Sequence, residues 1–223
     1  MLRMRGVSRI YGEREALRPL DLEVPDGACL ALLGHNGSGK STLLRIAAGR
    51  ERPTTGTVEF DGLPMNEDDP RLRRRVAVVG DILHCYPDLT VRQHLELVAV
   101  GHGLPDPAAR VERALAEQRL TDHRDARPDA LSSGQLQAML LAAALIRPRD
   151  LLILDEPEQR LDPAARRRLR DLLHAERERG TTVLFATHHQ GLAREAADRV
   201  LVLEDGAVIA EGGPESVLAG VEL

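Results

Sequence analysis

Apolar positions along this chain fall into two patterns, short continuous runs and longer stretches of helical spacing. Ala28 to Leu33, Leu151 to Leu154 and Thr182 to Ala186 are unbroken apolar runs of strand length, which suits strands buried on both faces. Leu2 to Tyr11, Asp21 to Val24, Thr57 to Phe60 and Val76 to Val79 also read as strands. Turn signals punctuate them at Pro25-Asp26-Gly27 and Asp61-Gly62. Val200 to Leu203 and Ala207 to Ala210 flank Asp205-Gly206, a hairpin signal. Helices are predicted from Lys40 to Ala48, stopped by Gly49, and from Ser133 to Ile146. A third runs from Pro163 to Arg179, opened by proline and closed by Gly180. Residues 91–118 keep helical spacing but are interrupted by Gly101, Gly103 and Pro105, so they read as a helical subdomain. Strands alternating with helices predict an α/β fold with a mainly parallel sheet, its N- and C-terminal strands antiparallel.

Composition narrows the class. The 223 residues suffice for one large domain or two small ones, and no repeat or low-complexity linker divides them. A net charge of -5 and only 2% aromatic residues argue against a nucleic-acid partner, which would call for a basic footprint and stacking platforms. Two cysteines make no disulfide framework, and Cys29 sits in an apolar run, so a reducing cytosol is expected. The N-terminus carries no signal-peptide pattern. The longest apolar run, Ala138 to Ile146, is less than half of the roughly 20 residues a membrane span needs. A soluble protein able to dock on a membrane partner is the expectation. Of 30 basic residues only Lys40 is lysine. Arginine's planar fork cannot replace a compact ammonium at every site, so that one position invites a chemical reading.

Lys40 closes such a reading. Gly34-His35-Asn36-Gly37-Ser38-Gly39-Lys40-Ser41 fits G-x-x-x-x-G-K-[ST], after a predicted strand and at the start of a predicted helix. Glycines let backbone N–H groups wrap phosphates, and the helix N-terminus adds its positive end. Lys40 would reach the β- and γ-phosphates and the Ser41 hydroxyl would ligate Mg²⁺, with Thr42 next to it in the same turn. The apolar strand Leu151 to Leu154 then delivers Asp155 and Glu156 to its C-terminal edge, where ligands bind in open α/β sheets. By itself this would be an ordinary strand end with an acidic turn. Beside a phosphate loop, Asp155 would hold Mg²⁺ and Glu156 would polarise the attacking water.

Leu131-Ser132-Ser133-Gly134-Gln135 precedes the helix before that strand. Ser132 with Gln135 three residues on is also a helix capping box. In this order, after the phosphate loop and before Asp155-Glu156, it resembles the signature of the ATP-binding cassette (ABC) family. The resemblance covers nearly the whole chain. Leu161-Asp162 is similar to that family's D-loop, and Thr187-His188 to its switch histidine. It implies a P-loop NTPase fold of residues 1–223: a RecA-like parallel core, an antiparallel β-subdomain, and a helical subdomain at about 88–147 carrying the signature. It also implies ATP with Mg²⁺ as cofactors, and Tyr11 stacking on adenine. His188 would contact the γ-phosphate and the water, and Ser133, Gly134 and Gln135 would bind the ATP of a second subunit. Transmembrane permease subunits would be separate chains, with this one on the inner face of the membrane.

Four positions depart from the family pattern. Ser133 replaces a glycine, Ala138 stands where arginine is common, and Glu158-Gln159-Arg160 lacks the usual small residues. The glutamine that should follow Val76 to Val79, a further metal contact, aligns with Asp81. These leave open a regulatory subunit that binds ATP with little turnover, or a member of the family outside transport.

Overall fold

The computed structural model describes residues 1–80, 85–159 and 161–220. Gly12, at φ 59°, turns β1 (Leu2–Tyr11) back onto β2 (Arg14–Val24), pairing Tyr11 with Arg14. The strand expected at Asp21 to Val24 is therefore much longer. Pro19 hid its first half, since proline argues against a central strand. In the sheet β2 pairs only with β1, so the missing donor breaks no ladder there.

The chain continues through β3 (Cys29–Leu33), α1 (Lys40–Ala47), β4 (Thr55–Phe60), β5 (Leu63–Pro64), α2 (Pro70–Arg73) and β6 (Val76–Val79). Three longer helices follow: α3 (Val91–Gly101), α4 (Pro107–Glu117) and α5 (Ser133–Leu145). After them come β7 (Leu151–Asp155), α6 (Pro163–Glu178), β8 (Thr182–Ala186), α7 (Gln190–Ala196), β9 (Arg199–Glu204), β10 (Ala207–Gly212) and α8 (Pro214–Leu218). β5, α2, α7 and α8 have no counterpart in the apolar pattern, because each is too short to show a period.

Two sheets result. One is antiparallel, in the order β2-β1-β4-β5; the other runs β10-β9-β3-β8-β7-β6, antiparallel only at the β10–β9 hairpin. Every residue of β3, β7 and β8 is buried, as their unbroken apolar runs predict. Alternation decides which side each serves. Leu30 and Leu32 face α1 and the antiparallel sheet, whereas Cys29, Ala31 and Leu33 belong with α6, α7 and α8. Burial raises the Cys29 thiol's pKa to about 12, so it is an inert core residue at neutral pH.

A third cluster joins α3, α4 and α5 through Val91, Leu95, Leu115, Met139 and Ile146. α5 carries apolar residues on opposite faces because it serves two cores. Leu141 and Ala144 pack with the parallel sheet, and Met139 and Ala142 pack with α3 and α4. No helix among the described residues is long and apolar enough to cross a membrane. The run Arg73 to Arg75 suggests a solvated helix face, but Arg75 lies beyond α2. It pairs with Asp61 and Asp150 and covers the Phe60 ring at 4.9 Å.

Candidate nucleotide site

Parallel pairing fixes where the chemistry gathers. Leu32 of β3 and Asp155 of β7 both lie level with Ala186 of β8. The residues that follow each strand therefore emerge side by side at one C-terminal edge. They are the Gly34–Gly39 loop, Glu156, and Thr187 with His188.

The loop needs glycine at specific points. Gly34 has φ 147°, and a Cβ there would lie 2.2 Å from the Leu203 carbonyl oxygen. Gly39 has φ 111°, and its Cβ would meet the Ala16 oxygen at 2.8 Å. Gly39 is also the N-cap of α1 and supplies no side-chain acceptor, so the helix's first donors are left for an anion. Lys40 is only 4% exposed. Its ammonium donates to the oxygens of Gly34 (2.7 Å) and His35 (3.0 Å) and lies 3.9 Å from Glu156 Oε1. Burial lowers its pKa, against the opposing pull of Glu156, Asp155 and Glu158.

Tyr11, Lys40, Ser41, Thr42 and Glu156 line one cavity of about 260 Å³, together with Asn36, Gly37 and Gly39 of the loop. Tyr11 is 39% exposed. Its hydroxyl donates to Glu51, and the Arg9 guanidinium covers its ring at 4.5 Å. Arg14, Ala16 and Arg45 also line this cavity, and the sequence reading passed over them. Arg45 carried a signal, since it stands four residues after Ser41 on the same helix face. Arg14 and Ala16 lie in the half of β2 that Pro19 concealed.

Asp155 is buried at the end of β7. Glu156 sits in the left-handed region at φ 46°, a strained geometry for a non-glycine residue. Its N–H donates to Ala186 O at 3.1 Å. Its Oε2 accepts from Gln159 Nε2 at 3.2 Å and lies 3.8 Å from His188 Nδ1. The two adjacent histidines differ in their surroundings. His188 is exposed beside Glu156, whereas His189 Nδ1 accepts from Leu192 N and caps α7.

Ser133, Gly134 and Gln135 do not join this cavity. Ser133 is exposed at the start of α5, and the capping box is present: Ser132 Oγ accepts from Gln135 N, and Gln135 Oε1 from Ser132 N. Asp81 lies outside the described residues.

A phosphate loop on a parallel sheet, with a lysine and a glutamate closing on each other, defines a P-loop nucleotide hydrolase. The ABC transporter family model matches residues 17–159. The chain is 38% identical to a Nod factor export ATP-binding protein of Cupriavidus metallidurans, over 98% of this chain and 73% of that one. It is 34% identical to a glutamate transport ATP-binding protein of Corynebacterium glutamicum, over 97% and 92%. A solved dimeric ATP-binding cassette, in a post-hydrolysis state with ADP and Pi, superposes with a TM-score of 0.89 at 28% identity, covering 96% of this chain and 99% of that one. The chain belongs to the ABC transporter family. It is an ATP-binding, ATP-hydrolysing subunit of a transporter.

Proposed function

We propose that this chain drives separate transmembrane subunits by hydrolysing ATP between Glu156 and Lys40 as half of a dimer. The observation that carries the reading is the position of the Glu156 carboxylate, 3.9 Å from the Lys40 ammonium and 3.8 Å from His188 Nδ1. The residues present fit ATP with Mg²⁺. Ser41, in the first turn of α1, and Asp155, at the end of β7, offer hard oxygen atoms, and such sites complete their shell with substrate phosphates and water. When bound, Mg²⁺ neutralises phosphate charge; Asp81 is a further candidate ligand.

The protein's own groups do the rest. Loop N–H groups and Lys40 hold the β- and γ-phosphates. Glu156 takes a proton from water as its oxygen bonds to the γ-phosphorus and the bond to ADP breaks. His188 orients the γ-phosphate and the water. Tyr11 offers adenine the ring face that Arg9 does not cover. Ser133, Gly134 and Gln135 sit at an exposed helix end, available to the ATP held by a second subunit.

Removing the ammonium leaves phosphate charge uncompensated in a partly dry site. Lys40→Ala is expected to weaken ATP binding well over tenfold, or more than about 1.4 kcal/mol. Calorimetric titration checks this, and equal affinity would remove Lys40 from the phosphate site. The permease reading predicts that the chain, purified gently from native membranes, brings down a polytopic membrane protein. An ATPase released wholly free of membrane protein would favour a role outside transport.

A further inference from the structure

Glu158 is a buried acid that the hydrolytic scheme leaves unused. It is 4% exposed. Its Oε1 accepts from the Thr187 hydroxyl, and its Oε2 has no hydrogen-bond partner among the described residues. A buried acceptor without a partner is unfavourable, so stability alone does not explain a carboxyl here.

The direction of the bonds is fixed. Thr187 Oγ1 accepts from His189 N at 2.9 Å, so its single proton is the one given to Glu158. Thr187 is itself fully buried, and its N–H donates to Leu32 O at 3.0 Å. One chain of bonds thus runs from the turn after β7 to the turn that presents His188. Gln159, next to Glu158, holds Glu156 Oε2 from the same turn. Two consecutive side chains therefore brace the two groups that must meet at the water. The sequence flagged this segment only as unusually bulky for the family.

We infer that Glu158 is a positioning residue for hydrolysis: through Thr187 it fixes the turn bearing His188 against Glu156. The inference rests on the reading of Glu156 and His188 as the hydrolytic pair. A carboxyl serves as well as an amide for this purpose, because only the oxygen that meets Thr187 is used. A shorter or apolar side chain releases the turn.

Steady-state ATPase and ATP affinity of the full chain test this, using E158A, E158Q, T187V, T187S and the double variant E158A/T187V. E158A and T187V are each expected to lower kcat about tenfold or more, since small misplacements at a reacting centre are costly. KM should stay within about twofold, because the phosphate loop is untouched. The double variant should be no slower than either single one, as for two members of one chain of bonds. E158Q and T187S keep the bond and should keep most of the rate. An E158A enzyme within about twofold of wild type in kcat would overturn the inference. So would additive losses, or an E158Q enzyme as slow as E158A, which would make charge rather than position the quantity that matters. If E158A does not fold, T187V against T187S decides alone. His188→Ala and Glu156→Gln are run alongside; if neither slows hydrolysis, the reading of the pair has failed rather than the role of Glu158.

Discussion

Glu156→Gln is expected to slow ATP hydrolysis by roughly 10²-fold or more, while ATP remains bound. The amide has the carboxylate's shape, so the turn at φ 46° and the neighbouring Gln159 keep their places. What is lost is the proton acceptor. The substitution also removes a negative charge 3.9 Å from Lys40, which lessens repulsion toward the phosphates and favours retention of ATP. Trapped ATP should then hold two subunits together through the exposed start of α5. Size-exclusion chromatography with and without ATP reads the assembly, and single-turnover kinetics read the chemistry. Turnover near the wild-type rate would assign the base elsewhere. A monomer under all conditions, with candidate partner subunits added, would count against the clamp.

The largest stability effect is expected outside the candidate nucleotide cavity, at Glu176. This carboxylate is 1% exposed and lies between α6 and the loop after α5. It accepts from Arg149 Nε at 2.6 Å, Arg179 Nη1 at 2.8 Å and Thr181 Oγ1 at 3.2 Å. Burial alone would raise its pKa. The bonds and charge of Arg149, helped by Thr181 and Arg179, win and hold it below the usual glutamate value of 4.5. The folded pKa being the lower one, this contribution is fully present above about pH 4.5 and is lost as pH falls through the folded value. Glu176→Ala leaves the Arg149 guanidinium, 9% exposed, without its counter-charge. Breaking a buried pair this way costs about 3–5 kcal/mol. For a chain of this size that lowers Tm by roughly 6–20 °C near neutral pH. Scanning calorimetry checks it, and a shift under about 2 °C would show the pair to be dispensable. Replacing both partners by leucine should cost much less, since no lone charge is then buried.

The sequence made the local parts legible. The phosphate loop, the Asp155-Glu156 edge and the buried strands each depend on a few consecutive residues, and the strand runs map onto β3 and β7 with one end moved by a residue and onto β8 unchanged. What stayed hidden depends on distant partners. Pro19 masked a strand that only its place at the sheet edge permits. Arg14 and Ala16 reach the candidate nucleotide cavity because that strand folds beside it. Glu158 looked merely out of pattern, since its meaning lies in Thr187, far along the chain. The signature was ambiguous for a different reason: one set of atoms serves as helix cap and as candidate ligand, and the capping box at Ser132 and Gln135 leaves both uses standing.

The two-sided packing of α5 bears on how this chain can change over generations. Its basic residues are arginine everywhere but one, which points to a steady mutational pull in that direction. Yet α5 carries no charged residue at all, and from Gly134 to Leu145 no position is exposed. A guanidinium arriving at buried Met139, Leu141, Ala142 or Ala144 would find packed side chains from two separate cores, so lineages bearing it should be lost. Those four positions are therefore expected to accumulate substitutions slowly and only among apolar residues of similar volume, while the surfaces of α4 and α6 drift freely around them.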